Sequence, residues 1–253
     1  MSVFLLEDEM NIEKLKTSFN KYVNTFDTKD KNISLKIFHS FRVMDYCIKI
    51  AVANNFTKNE IEIAAVIGLL HDYGRFPQWR DYKTYSDINS VDHAELAIKK
   101  LFDENEIEEF NIDKNYYKII YDAIKYHNKV VIPDDVSEES LKFCKLVRDA
   151  DKLDIFYIFT LDHSCIKEDD EEISIEIENE FYEKIPIWIK KIKNDSEHML
   201  LHLTMVFNFE YDFSLKWMKG NKYIEKMFLN VERKDKFKKY FDYVINYINE
   251  RNE

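Results

Sequence analysis

Four of the seven histidines, His39, His71, His93 and His127, lie in the first half of the chain, each within or near an end of a helix-like segment. His71 is followed directly by Asp72, and further acids sit in the run Arg148-Asp149-Ala150-Asp151-Lys152-Leu153-Asp154. Neutral imidazole nitrogens and carboxylate oxygens are the donors a divalent ion needs to activate water, provided one coordination position stays open. His39, His71, Asp72 and Asp151 supply two nitrogens and two oxygens from three predicted helices. A His-Asp step at a helix C-terminus suits this, because the last turn loosens and lets both side chains converge on one ion. Taken singly, each residue is weak evidence. A lone helical His is more often a satisfied structural residue, and an Asp beside Arg148 or Lys152 is usually an ion-pair partner.

Other polar residues carry a functional and a plain reading side by side. Arg75 has the planar fork that grips a phosphate oxygen; a surface ion pair is the alternative. Lys152 abuts Asp151 and could counter developing charge, or simply stabilise its helix. Asp154 is an orienting carboxylate or a solvent-exposed one. Trp79, Tyr82 and Tyr85 would stack on a nucleobase or pin their loop to the core, and Gln78, Thr84 and Asp87 share that loop. His198 and His202, four apart, would share a helix face. A zinc-protease pair needs Glu directly after the first His, and Met199 is there, so the stripe Met199, Leu203, Val206 reads as core. His163 follows Asp162 in reversed order and receives no function.

The elements that must position these groups are helical. Only 3 Gly and 3 Pro occur in 253 residues, too few for the tight turns of a sheet protein, while 45% hydrophobic residues can fill a sizeable core. The periodicity predicts helices over about 9–26 and 34–54. A third opens at a Thr57/Glu60 capping box and stops near Gly74, with Pro77 just beyond. Residues 75–90 read as an irregular, aromatic-rich loop. Helices follow at about 92–103, 114–127, 138–161, 175–192, 196–209 and 233–250, with an acidic surface loop at Glu168–Glu172. That loop suggests a site-bearing part, 1–165, and a helical extension, 166–253.

A net charge of −11 argues against binding duplex nucleic acid or an anionic membrane. A small anionic substrate stays open, since a bound cation reverses the local potential. The apolar start Met1–Leu6 is too short, and its acidic flank too negative, for a signal peptide, and no apolar run reaches a membrane span. Cys47, Cys144 and Cys165 have no paired spacing, which fits free thiols in a cytoplasmic protein.

The segment Gly68-Leu69-Leu70-His71-Asp72-Tyr73-Gly74-Arg75 resembles the signature of HD-domain metal-dependent phosphohydrolases, with Tyr73 bulkier than the Ile often found there. His39, in His39-Ser40-Phe41-Arg42-Val43, matches the family's upstream His, and Asp151 its closing Asp. Val91–Ala97 and Ala123–Asn128 resemble segments that supply two further ligands, His93 and His127, in subfamilies holding two metals. The resemblance covers roughly residues 35–160. It implies an all-α, HD-domain helical bundle holding one or two divalent ions (Mn, Fe, Co, Mg or Ni), with Asp72 bridging. The expected reaction is hydrolysis of a small phosphorylated metabolite, a nucleotide being the foremost case, with Asp72, Arg75 and Lys152 as catalytic candidates. The same six-ligand order resembles HD-fold di-iron oxygenases, and a non-catalytic HD-like interaction module is the third class.

Overall fold

The computed structural model describes residues 12–161, 166 and 168–251. Among them there is no strand, and α-helices joined by short 3-10 turns account for the architecture. The expected helix start near Glu9, together with Met1–Leu6, Asp162, His163 and Cys165, lies outside the described residues. The chain divides into two compact units, through Ala150 and from Asp151 onward, ahead of the acidic stretch at which the sequence suggested a division.

In the first unit, α1 (Ile12–Val23), α2 (Lys31–Ala53) and α3 (Lys58–Leu70) supply the framework. Asp30 caps α2 by accepting from the Asn32 amide, and the Thr57/Glu60 box caps α3 in both directions. Residues 63–70 are buried without interruption, so α3 is a core helix rather than an amphipathic surface one. It packs along α2 at very short range. A Cβ on Gly68 would stand 2.7 Å from the Met44 Cα and 2.8 Å from the Cys47 Sγ, so hydrogen at this position is what lets the two backbones meet.

The stretch after Gly74 departs from the expected loop. Residues Arg75–Tyr82 form α4, followed by a 3-10 turn at Asp87–Asn89. Pro77 is not a terminator here. It is the third residue of the helix, within the first turn, where a backbone N–H has no intrahelical acceptor and its loss costs nothing. Trp79 Nε1 donates to Asp30 Oδ2 at 2.8 Å, and Tyr85 Oη donates to the Asn32 carbonyl at 2.9 Å. Both aromatics therefore pin the segment to the start of α2, whereas Tyr82 is exposed. Next come α5 (His93–Ile98), prolonged by a π-helical turn over Lys99–Asp103, and α6 (Tyr117–Tyr126). The helix α7 (Glu138–Phe159) runs without a break through the division between the units.

The second unit contains α8 (Ile175–Tyr182), α9 (Asp195–Thr204), α10 (Asp212–Asn221), α11 (Tyr223–Leu229) and α12 (Lys234–Glu250). The acidic stretch before α8 has a structural task. Asp169 accepts from the Asp195 and Ser196 amides at the start of α9, and Glu168 accepts from the Glu232 and Arg233 amides just ahead of α12. Carboxylates at helix N-termini satisfy orphan donors and oppose the positive end of the helix dipole. Helices α10 and α11 had no sequence assignment, and the reversal between them is made by Lys222 in a left-handed conformation, φ 54°. Asp154, for which solvent exposure was expected, is instead fully buried.

Candidate metal centre

Asp72 lies at the middle of the first unit, 2% exposed, in the turn that closes α3. His71 still donates its amide to Ile67 in the α pattern, but Tyr73 reaches back only to Leu70 and Arg75 only to Asp72. The tightened turn points both side chains of the His-Asp step inward. Asp72 Oδ2 is 3.3 Å from His39 Nε2 on α2 and 3.7 Å from His71 Nε2. Its other oxygen, Oδ1, is 3.3 Å from His93 Nε2 and 3.8 Å from His127 Nε2. The two oxygens of one carboxylate thus sort four buried histidines into two pairs.

The hydrogen bonds on the far side of each ring fix what the pairs present. His71 Nδ1 is 2.8 Å from the Gly68 carbonyl, and His127 Nδ1 is 2.6 Å from the Ile124 carbonyl. A carbonyl can only accept, so both rings carry a proton on Nδ1, which in a neutral ring leaves the lone pair on Nε2. His93 Nδ1 faces Asp87 Oδ2 at 2.7 Å and is placed likewise. As neutral Nδ1–H rings, His93 and His127 would confront each other with two acceptor nitrogens, Nε2 to Nε2 at 2.9 Å, and His39 Nε2 stands 3.2 Å from His71 Nε2. Lone pairs held at such distances beside a carboxylate oxygen repel unless a cation lies among them. The donor set, four imidazoles and a two-faced carboxylate, fits one or two divalent ions. His71, Asp72 and His127 offer ligand atoms within 4.8 Å of one another.

Electrostatics point the same way. Burial is the largest influence on Asp72 and would raise its pKa, but the Lys36 ammonium beside it helps to hold it well below the usual carboxylate range. Burial, aided by the Arg75 charge, lowers the His93 pKa to about 4, so its ring is neutral at pH 7. A ligating imidazole must be neutral.

The close approach of His93 depends on Gly74. A Cβ there would lie 2.1 Å from the His93 carbonyl oxygen and 2.7 Å from the Ala97 amide nitrogen. His93 opens α5, whose first turn is capped by Asp92 accepting from Ala94 and Glu95. Asn128, next to His127, donates to Asp92 Oδ1 at 3.0 Å and so ties the end of α6 to the start of α5.

Arg75 is half-buried, and its Nη1 lies 2.8 Å from Gln78 Oε1, 2.6 Å from the Tyr85 carbonyl and 3.0 Å from Asp87 Oδ1. Its Nε is 3.5 Å from Asp72 Oδ1. Lys152 lies in the second unit, where its ammonium donates to the Asn208 carbonyl. Asp151 is half-buried on α7, the first residue of the second unit and one helical turn beyond buried Val147. His198 and His202 stack edge-on with centroids 4.4 Å apart in the second unit, and His202 also packs on Phe159.

Two contributors had no signal in the sequence. Lys36, one turn before His39, places Nζ 2.8 Å from Asp72 Oδ2 and over the Tyr85 ring. Asp87 stood among loop residues able to line a pocket, with nothing linking it to His93. A histidine-rich, carboxylate-centred cluster inside an all-helical unit is one that could hold a metal ion. Residues 37–155 match the family model of the HD domain. The match begins just ahead of His39 and ends just past Asp151. No curated protein and no solved structure matches the chain significantly. Among the described residues, no helix is long and apolar enough to cross a membrane.

Proposed function

We propose that the chain is a divalent-metal-dependent phosphohydrolase acting on a small phosphorylated metabolite, with nucleotides the first substrates to test. The observation that carries this reading is the division of labour at Asp72, whose two oxygens each face a separate pair of imidazole nitrogens. In this reading His39, His71, Asp72 and Asp151 hold one ion, and Asp72, His93 and His127 hold a second. The reach of the HD match through Asp151 supports its inclusion. A divalent ion so held supplies Lewis acidity toward a phosphoryl oxygen and lowers the pKa of its coordinated water.

The chain's own residues then bind and orient. Lys36 retains 15% side-chain exposure where Asp72 retains 4%, so it is the cation an incoming phosphate meets. Arg75 bears on both Asp72 and Asp87 and braces the two carboxylates. The six-ligand order also resembles HD-fold di-iron oxygenases, the alternative reading, and one experiment separates the classes. Protein purified without added metal is analysed for its elements, then screened anaerobically for phosphate release from nucleotides in Mn²⁺, Co²⁺ or Mg²⁺. Release that disappears in Asp72→Ala, with helical content retained, is the expected result. Two irons with oxygen consumption and no phosphate release would replace the hydrolase by the oxygenase. Neither metal nor turnover would leave an interaction module.

A further inference from the structure

Asp87 belongs to none of the ligand segments, yet its two oxygens accept four side-chain hydrogen bonds beside the centre. Its Oδ2 accepts from His93 Nδ1 at 2.7 Å and from Asn128 Nδ2 at 3.3 Å. Its Oδ1 accepts from Arg75 Nη1 at 3.0 Å and Gln78 Nε2 at 2.9 Å. Gln78 is itself fully buried, with Nε2 also 2.9 Å from Ser90 Oγ and the Val91 carbonyl. Both carboxylate oxygens are therefore fixed by groups that are fixed in turn. A carboxylate restrained in this way holds a ring far more firmly than water does.

Each of the other Nδ1 atoms described has a different kind of partner. His71 and His127 donate to carbonyls three residues earlier on their own helices, so their helices orient them. His93 is the first residue of α5, and no preceding helical turn exists to offer it a carbonyl. The chain supplies the acceptor from outside the helix.

We infer that Asp87 is the positioning residue for His93, setting its tautomer and ring plane so that Nε2 presents its lone pair on the Oδ1 side of Asp72. The inference rests on the two-ion reading for its consequence, but its tautomer claim can be tested without metal. Outer partners of this kind govern affinity: losing one weakens metal binding by roughly 10–100-fold. Asp87→Asn keeps the shape, removes the charge, and lets an amide N–H face Nδ1, which drives the ring toward the Nε2–H tautomer that cannot ligate.

The experiment has two arms on the full-length chain. In the first, the imidazole ¹⁵N and ¹H signals of the chelator-treated protein are assigned by comparison with His93→Gln. The wild type is expected to show His93 protonated at Nδ1, and Asp87→Asn to show loss of that state, with Asp87→Glu restoring it at least in part. A wild-type His93 protonated at Nε2, or a tautomer unchanged in Asp87→Asn, overturns the inference. In the second arm Mn²⁺ is titrated calorimetrically into the same proteins. Two ions are expected for wild type, and a second ion weakened about 10–100-fold in Asp87→Asn with the first unchanged. Equal weakening of both ions, or of neither, overturns the positioning role. Fewer than two ions in wild type would sink the two-ion reading itself, while the tautomer arm would still decide Asp87.

Discussion

Replacing Gly74 by Ala adds one methyl group at the point where the turn after Asp72 touches α5. Backbone conformation does not forbid it, because Gly74 sits at φ −71°, ψ −15°, which any residue adopts. In open space the change would stabilise by about 0.4–1 kcal/mol through a stiffer unfolded chain. Space decides otherwise. The new Cβ would lie 2.1 Å from the His93 carbonyl oxygen, against 3.4 Å for the nearest ordinary contact, so something must move by about 1.3 Å. The neighbours are backbone atoms of α5, which cannot swing aside as a flexible side chain would. Overpacking of this kind costs about 1–3 kcal/mol, which exceeds the entropic gain. The melting temperature should fall, at roughly 2–4 °C per kcal/mol for a chain of this size. The displaced carbonyl belongs to His93 itself, so the same shift breaks its 3.3 Å approach to Asp72 Oδ1. His39 and His71 on the other oxygen are untouched. Thermal melts beside Mn²⁺ stoichiometry by elemental analysis test this. A variant that melts higher than wild type and still binds both ions would refute the reasoning.

Three other perturbations address separate links. His127→Ala should abolish one ion while sparing the other, since it removes a donor only from the Oδ1 side; unchanged metal content would make the centre mononuclear and remove the oxygenase reading with it. Lys36→Met should tighten the ion on the Oδ2 side, because the ammonium competes for that oxygen at 2.8 Å, and should raise KM for a phosphorylated substrate; weaker metal binding would contradict the competition. Asp169→Asn should cost about 1 kcal/mol at pH 7, the worth of a helix cap. Burial would raise the Asp169 pKa, but bonds from Ser196 and the Asp195 amide lower it overall, so its contribution is present above the unfolded value near 3.9 and is lost as pH falls through the folded value. Melts of both proteins from pH 7 to 3 should converge at the acid end, and a constant gap would count against the cap.

What the sequence showed depended on whether a residue's task follows from its own neighbours. The Thr57/Glu60 box is local chemistry and forms as read. The His-Asp step and the histidines around it were legible through their order and surroundings. Pro77 misled because its effect depends on where the helix begins: two residues into α4 it is harmless, while in mid-helix it would break the element. Lys222 makes a left-handed turn with no glycine to announce it. The acids at 168–172 read as a solvated run, since the helix ends they cap lie far along the chain. Asp87 and Lys36 escaped for the same reason. Each is tied to the centre by packing between elements, and no spacing encodes that.

The two sides of Asp72 are built by different means, and this predicts which yields first under stress. His39 and His71 stand on α2 and α3, two capped helices brought together at Gly68 with fully buried side chains around them. Apolar burial at about 25 cal/mol per Å² holds those two helices together. His93 and His127 stand at the very ends of shorter helices, and polar contacts through Asp87, Asp92 and Asn128 are among those that join these ends. A polar cluster is strong while every member is satisfied and fails together when one is removed. Local opening is therefore expected to start at α5 and α6, and amide hydrogen exchange that is slower there than in α2 and α3 would contradict this.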